Sequence, residues 1–171
     1  DGDVDVLVRD YQREPVVHEV ASPELAPIRH LWWFVHDAAR PDLLVKLVKR
    51  SEATVVFSRT RHGADRSAKR LSRAQIRTAV LHGGNSQLKR EAALDQFARG
   101  EVQALVATDV AARGIHVDDV ACVVQYDLPV DPKDYVHRAG RTGRAGAVGT
   151  VVSFVSPFNE AHARHLIAEA G

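Results

Sequence analysis

Residues 137–146 read His-Arg-Ala-Gly-Arg-Thr-Gly-Arg-Ala-Gly, so three arginines and three glycines fall within ten positions. A guanidinium is permanently charged, and its planar fork of donors matches phosphate oxygens. Glycine lets backbone approach a ligand closely. Asp131-Pro132 just upstream predicts a helix start, with Asp131 as N-cap, Pro132 at the first helical position and Asp134 in the first turn. The helix is predicted over 131–142, running through Tyr135 and Arg138 and failing near Gly143. Arg138 and Arg141, three apart, are then neighbours on the helix surface, and Arg144 lies on the loop beyond. Fixed positive charge at such a junction suits a triphosphate or a nucleic-acid backbone. A solvated arginine-rich turn is the competing reading, and R-x-x-R alone does not separate the two.

The elements that must position this cluster alternate. Val16 to Val20 fits a short strand, and His30 to Val35 an apolar one in which adjacent Trp32 and Trp33 point to opposite faces and pack in the core or at an interface. Pro41 opens a helix with Leu43, Leu44, Leu47 and Val48 as its buried stripe. Residues 53–57 form a short apolar run, as a strand buried on both faces does. A basic helix follows over 61–73, with Ala64, Ala68 and Leu71 inward. Further strands are predicted at 78–81, 104–107, 121–126 and 149–155. A helix over 87–98, capped by Asn85 or Ser86 and stopped by Gly100, lies among them, and a last one follows Ser156-Pro157.

Strand–helix alternation predicts an α/β fold with a largely parallel sheet and helices on both faces. Ser58-Arg59-Thr60, His82-Gly83, Thr108-Asp109 and Asp127 each follow the C-terminal end of a strand. Open parallel sheets bind ligands along that edge. Four polar strand ends beside the arginine junction weigh against ordinary loop chemistry.

With 171 residues, 45% hydrophobic and 26% charged, the chain fits one globular domain with a core of its own. We assign residues 1–28, punctuated by Pro15, Pro23 and Pro27, to a linker and edge segment, and 29–171 to the domain. The chain contains no methionine and is read as a segment of a longer protein. No signal-peptide pattern and no apolar run of membrane-spanning length is present. The single cysteine, Cys122, reads as a small core residue, and a cytoplasmic home is expected. His162 and His165 share a helix face, but two ligands do not make a metal site. Net charge is +1, unevenly placed. Residues 57–77 carry Arg59, Arg61, Arg66, Lys69, Arg70, Arg73 and Arg77 against Asp65 alone, a patch that suits a polyanion. Part of that enrichment follows the chain's general preference for arginine over lysine.

No G-x-x-x-x-G-K-[ST] cradle and no D-E-x-D strand end for Mg2+ occurs. Arginines that read phosphate without a nucleotide pocket fit a domain that lends an arginine finger to a neighbour's nucleotide.

These residues resemble the second, C-terminal RecA-like domain of a bacterial DEAD-box RNA helicase, from about residue 30 onward. Val55 to Thr60 is similar to motif IV, Gln87-Leu88-Lys89-Arg90 to the Q-x-x-R element, Ala107 to Gly114 to motif V, and His137 to Arg144 to motif VI. The resemblance implies that Arg141 and Arg144 reach the γ-phosphate of ATP, with Arg144 the finger. It implies that Arg59, Thr60, Gly83, Gln87, Arg90 and Thr108 touch the RNA backbone. Asp109, Arg113, His137 and Arg138 would couple the RNA side to the ATP side. The family carries Asp two residues after the R-G that ends in Gly114, where it meets the ATP ribose. Here that position is His116, followed by Val117-Asp118, so either His116 or Asp118 would serve. ATP and Mg2+ would be held mainly by an N-terminal RecA-like domain of the same protein. The 171-residue chain alone is expected to be an inactive monomer that binds RNA and no membrane. A stand-alone RNA-binding module and the matching domain of a DNA helicase are the rival readings.

Overall fold

The computed structural model describes residues 16–22, 25–112, 117, 120–143 and 148–170, with side chains described from residue 28 to 169. Seven strands form one sheet in the order β1-β2-β7-β6-β3-β5-β4. They are β1 (Val16–Ser22), β2 (Leu25–Phe34), β3 (Thr54–Phe57), β4 (Thr78–Leu81), β5 (Ala104–Ala107), β6 (Cys122–Gln125) and β7 (Gly149–Val155). The six strands from β2 to β4 run parallel, and β1 adds an antiparallel edge through a hairpin with β2. The described helices are α1 (Arg40–Arg50), α2 (Arg61–Arg73), α3 (Gln87–Ala98), the single turn α4 (Asp109–Ala112), α5 (Pro132–Ala139) and α6 (Glu160–Ala170). This is the α/β architecture with a largely parallel sheet expected from the alternation of elements, and it agrees with the RecA-like fold that the resemblance implies.

β3, β5, β6 and β7 are buried at every residue, which is why their sequences are apolar runs rather than alternations. One face of the sheet packs Leu31, Trp33, Val56, Val106, Val124 and Phe154 under α1 and α2. The other packs Trp32, Val55, Phe57, Leu105 and Val123 under α3, α5 and α6. Trp32 and Trp33 thus fill opposite layers, at 1% and 0% exposure. Trp32 stacks on Tyr135, ring centroids 5.1 Å apart. The Tyr135 hydroxyl lies 2.7 Å from His30 Nδ1, and burial raises its pKa above the ordinary phenol value. α5 is pinned to the sheet through this aromatic stack.

Several elements differ from their predicted bounds: β1 runs on to Ser22, and β3 and β6 are shorter than expected. β2 begins at Leu25, within the stretch assigned to the linker and edge segment, and not at His30. Its register with β1 breaks between Val20 and Ser22, and pairing with β7 starts only at Ile28, so Pro27 interrupts neither ladder. α1 begins at Arg40, one residue before Pro41. α5 ends at Ala139, not 142: Gly140 caps it, and Thr142 leaves the helix to bridge Val120 in parallel, its hydroxyl donating to the Val120 carbonyl. Gly143 takes a positive φ of 76°, and Gly149 lies so close that a Cβ there would collide with the Gly143 amide and Thr142. The turn after α5 is therefore clamped between β6 and β7.

Cys122 is buried at 1% exposure on β6, and desolvation pushes its thiol up to about 12, partly offset by a hydrogen bond with Ser51. Thiolate is the reactive form. We therefore expect Cys122 to resist alkylation in the native protein near about pH 8 and to react only as the domain unfolds. Thiol labelling along a denaturant titration checks this; modification that precedes unfolding would show an open core.

Candidate nucleic-acid and phosphate site

The C-terminal ends of β3, β4, β5 and β6 bring the polar segments to one edge of the sheet. At β3, the Arg59 amide donates to Asp127 Oδ2 at 3.0 Å, and Thr60 caps α2 by accepting from the Gly63 amide at 3.0 Å. At β4, His82 is fixed from both sides: Nδ1 accepts from the Gly84 amide at 3.1 Å, so Nε2 carries the proton and donates to Asp65 Oδ1 at 3.0 Å. Gly83 is exposed beneath the Arg61 guanidinium, which a Cβ would meet at 3.1 Å. Ser86 caps α3, which sets Gln87 and Arg90 on its first turn. Gln87 is exposed and donates to Glu91 at 2.8 Å, while Arg90 Nη2 reaches the Ala111 carbonyl at 3.4 Å. Thr108 is 6% exposed at the end of β5.

Arg138 stands at the centre. Its Nε and Nη2 donate to the two carboxylate oxygens of Asp109, each at 2.6 Å. Its Nη1 donates to the Asp127 carbonyl at 2.8 Å and to Gln125 Oε1 at 3.2 Å. The guanidinium carbon lies 4.9 Å from the Phe57 ring centroid, in cation–π range. Arg138 is 4% exposed, which corrects the expectation that it shares an open helix surface with Arg141. Spacing made the two neighbours, but α5 turns Arg138 into the sheet edge, where Asp109 takes its charge. His137 stays exposed and Arg141 is half-buried. Both line a hollow of about 520 Å³ with Asp109, Lys133 and Arg138.

Arg59, Thr60, Gly83, Gln87, Arg90, Thr108, Asp109, His137, Arg138 and Arg141 thus lie along one edge or on the helices that leave it. Arg113, Gly114, His116, Asp118 and Arg144 lie outside the described residues. Sequence reasoning missed the role of Asp127, which joins Arg40, the Arg59 amide and Arg138; its place at a strand end was its signal. Gln125 left none, because inside an apolar strand it reads as an irregularity. No group of three metal-ligating side chains occurs among the described residues. Asp109 is engaged by Arg138, and Asp131 caps α5 through the Lys133 amide at 2.7 Å. The donor set here does not fit Mg2+.

The model of the helicase conserved C-terminal domain matches residues 39–146. The ATP-dependent RNA helicase RhlB of Xanthomonas axonopodis pv. citri is 44% identical over 152 residues, 86% of this chain and 27% of that protein. The chain therefore spans about a quarter of the length of such relatives. Among solved structures, the E. coli DEAD-box protein SrmB, crystallised with regulator of ribonuclease activity A, superposes with a TM-score of 0.75 at 36% identity, over 88% of this chain and 86% of that one. S. cerevisiae Dbp5 bound to RNA and ADP BeF3 superposes at 0.74 and 30% identity, over 89% of this chain and 41% of that one.

Removing one partner of a buried ion pair leaves an uncompensated charge and costs about 3–5 kcal/mol; the partial exposure of Asp109 (30% at its side chain) lowers this. We expect Asp109→Asn to destabilise the isolated chain by about 2 kcal/mol, and Arg138→Met to cost less because it removes the charge itself. Equilibrium urea unfolding of both variants measures the order, and equal midpoints would mean the pair is solvated.

Proposed function

The chain belongs to the helicase conserved C-terminal domain family, within the DEAD-box proteins, and from that premise we propose that it is the half of an ATP-dependent RNA-unwinding enzyme that completes the ATP site and grips the RNA backbone. ATP and RNA would bridge this domain and an N-terminal RecA-like domain of the same protein, and would close the cleft between them. Closure would bend one strand and release its partner. ATP and Mg2+ would be held mainly by the N-terminal domain, since no carboxylate cluster suited to the metal is found among the residues described above.

The observation that carries this reading is the two-bond clasp of Arg138 on Asp109. It joins α4, which follows Thr108 at the end of β5, to the helix that precedes Arg141 in the chain. Arg59, Thr60, Gly83, Gln87, Arg90 and Thr108 would meet sugar and phosphate, which gives little sequence preference. Arg141 and Arg144 would stabilise charge on the transferring phosphoryl group, an effect on the order of 10³–10⁵ in rate. Asp109, Arg113, His137 and Arg138 would couple the two sides, and Gly114 with His116 or Asp118 would meet the ribose. A stand-alone RNA-binding module would have no use for phosphate-reading arginines at a cleft. We place the protein in the cytoplasm; no described helix is long and apolar enough to cross a membrane.

In the two-domain enzyme, Arg144→Lys and Arg144→Ala should both largely abolish hydrolysis while ATP and RNA affinity stay near wild type. A contact formed only on closure stabilises the transition state and not the bound ground state, and lysine cannot span two oxygens as the guanidinium fork does. Steady-state ATPase at saturating RNA, beside equilibrium binding of an ATP analogue, tests this. Near-normal turnover with a large rise in Kd would make Arg144 a ground-state binder.

Arg90→Ala should weaken single-stranded RNA binding about equally for all sequences. It should also lower the slope of log K against log[salt] by about 0.7, one phosphate's worth for a single strand. A changed base preference at constant slope would overturn the backbone assignment.

A further inference from the structure

A groove of about 960 Å³ runs between the N-terminal end of α1 and the exposed face of α2. On α2 it is lined by Arg66, Arg70 and Arg73, which continue from Gly63 at alternating steps of three and four, while Arg59 lies just ahead of the helix. That spacing is one stripe of a helix, with a cation about every 5 Å from Arg66 onward. Lys69 lies beside the stripe. Three carboxylates also reach the groove, and all are engaged by two of its arginines. Arg40 holds Asp37 and Asp127 at 3.2 and 3.0 Å, and Arg70 holds Asp42. Arg59, Arg66, Lys69 and Arg73 make no ion pair among the described residues, and all four are exposed.

We propose that this groove is a second RNA-backbone site, which takes the single-stranded flank of the RNA held on the sheet edge. The proposal rests on the RNA-binding reading above. Three features select the ligand. The cations are spread along a line and do not converge, so an extended polyanion fits and an isolated phosphate does not. Arg59 and Thr60 belong both to the edge at β3 and to the groove, so a strand leaving the edge there enters it without a break. An aromatic ring stands on the path: Phe158 is 93% exposed and lines the groove. Cationic tracks interleaved with aromatic faces hold single strands by charge and by base stacking.

The test compares fluorescence-labelled single-stranded RNAs on the 171-residue chain: a short one that covers the edge alone and a longer one that extends past it. Arg66, Lys69 and Arg73 are exposed and outside the edge, so the triple variant Arg66→Glu/Lys69→Glu/Arg73→Glu should keep the wild-type circular dichroism and Tm. We expect it to weaken the long RNA at least about tenfold and lower its salt slope by about two, three phosphates' worth, with the short RNA unchanged. Phe158→Ala should weaken the long RNA alone, at unchanged salt slope. Arg90→Ala should weaken both RNAs. If the triple variant leaves the long RNA unchanged while Arg90→Ala weakens both, the groove assignment fails and the RNA-binding reading stands. If neither change affects either RNA, that reading fails with it. A triple variant that weakens both lengths equally reports a diffuse field and overturns the site. So does polyglutamate that displaces the long RNA as well as unlabelled RNA does.

Discussion

The buried guanidinium of Arg138 constrains the functional edge. A charge at 4% exposure costs several kcal/mol to desolvate unless its donors are satisfied. Here four donor contacts go to Asp109, Gln125 and the Asp127 carbonyl. These partners come from three segments: the start of α4, the end of β6 and the loop that leads to α5. Because the bonds are directional, satisfying them fixes the rotation of α5 about its axis. That rotation leaves His137 outward and aims the chain after Gly140 toward the hollow beside Asp109. Arg141 inherits its position from Arg138.

The sheet makes this constraint affordable. Its central strands are apolar on both faces apart from Thr54 at the start of β3 and Gln125 at the end of β6, so polar chemistry is displaced to where the strands stop. Strand ends in a parallel sheet also present free backbone groups, and the edge uses one of them: the Asp127 carbonyl serves Arg138, while the Ala111 carbonyl of α4 serves Arg90. The two helix layers then divide the labour. α1 and α2 cover one face and carry the basic groove, while α3 and α5 cover the other and carry Arg90 and the arginine cluster.

Much of this was legible in sequence because it is local. The Asp131-Pro132 start, a cap at Asn85 or Ser86, the stop at Gly100 and the opposed tryptophans each follow from near-neighbour geometry. The stripe Ala64, Ala68, Leu71 likewise identified the buried face of α2, which left its arginines outside. What was not legible depends on contacts distant in sequence. Arg138 and Arg141 look alike at a spacing of three, and only the approach of Asp109, 29 residues away, decides that one is buried. Gly149 reads as an ordinary strand start; its need for glycine comes from the backbone of Gly143 lying against it. The end of α5 was misplaced for the same reason, since Thr142 leaves the helix for Val120, 22 positions upstream.

In the function proposed above α4 would join the RNA side to the ATP side, and the strengths of its bonds are unequal. Its first residue, Asp109, holds Arg138 through two charge-assisted bonds of 2.6 Å. Its third, Ala111, accepts one bond from Arg90 at 3.4 Å, near the limit of a hydrogen bond. A single turn of helix with a strong clasp at one end and a weak one at the other responds asymmetrically. A phosphate competing for Arg90 replaces a long neutral-acceptor bond with a charged one at little cost, whereas separating Asp109 from Arg138 would expose a buried charge. RNA engagement would thus rearrange the α3–α4 contact first and move α4 and α5 as one body. Coupling by this route needs no chain of side chains between the sites, only one short element whose firm contact lies on the phosphate side.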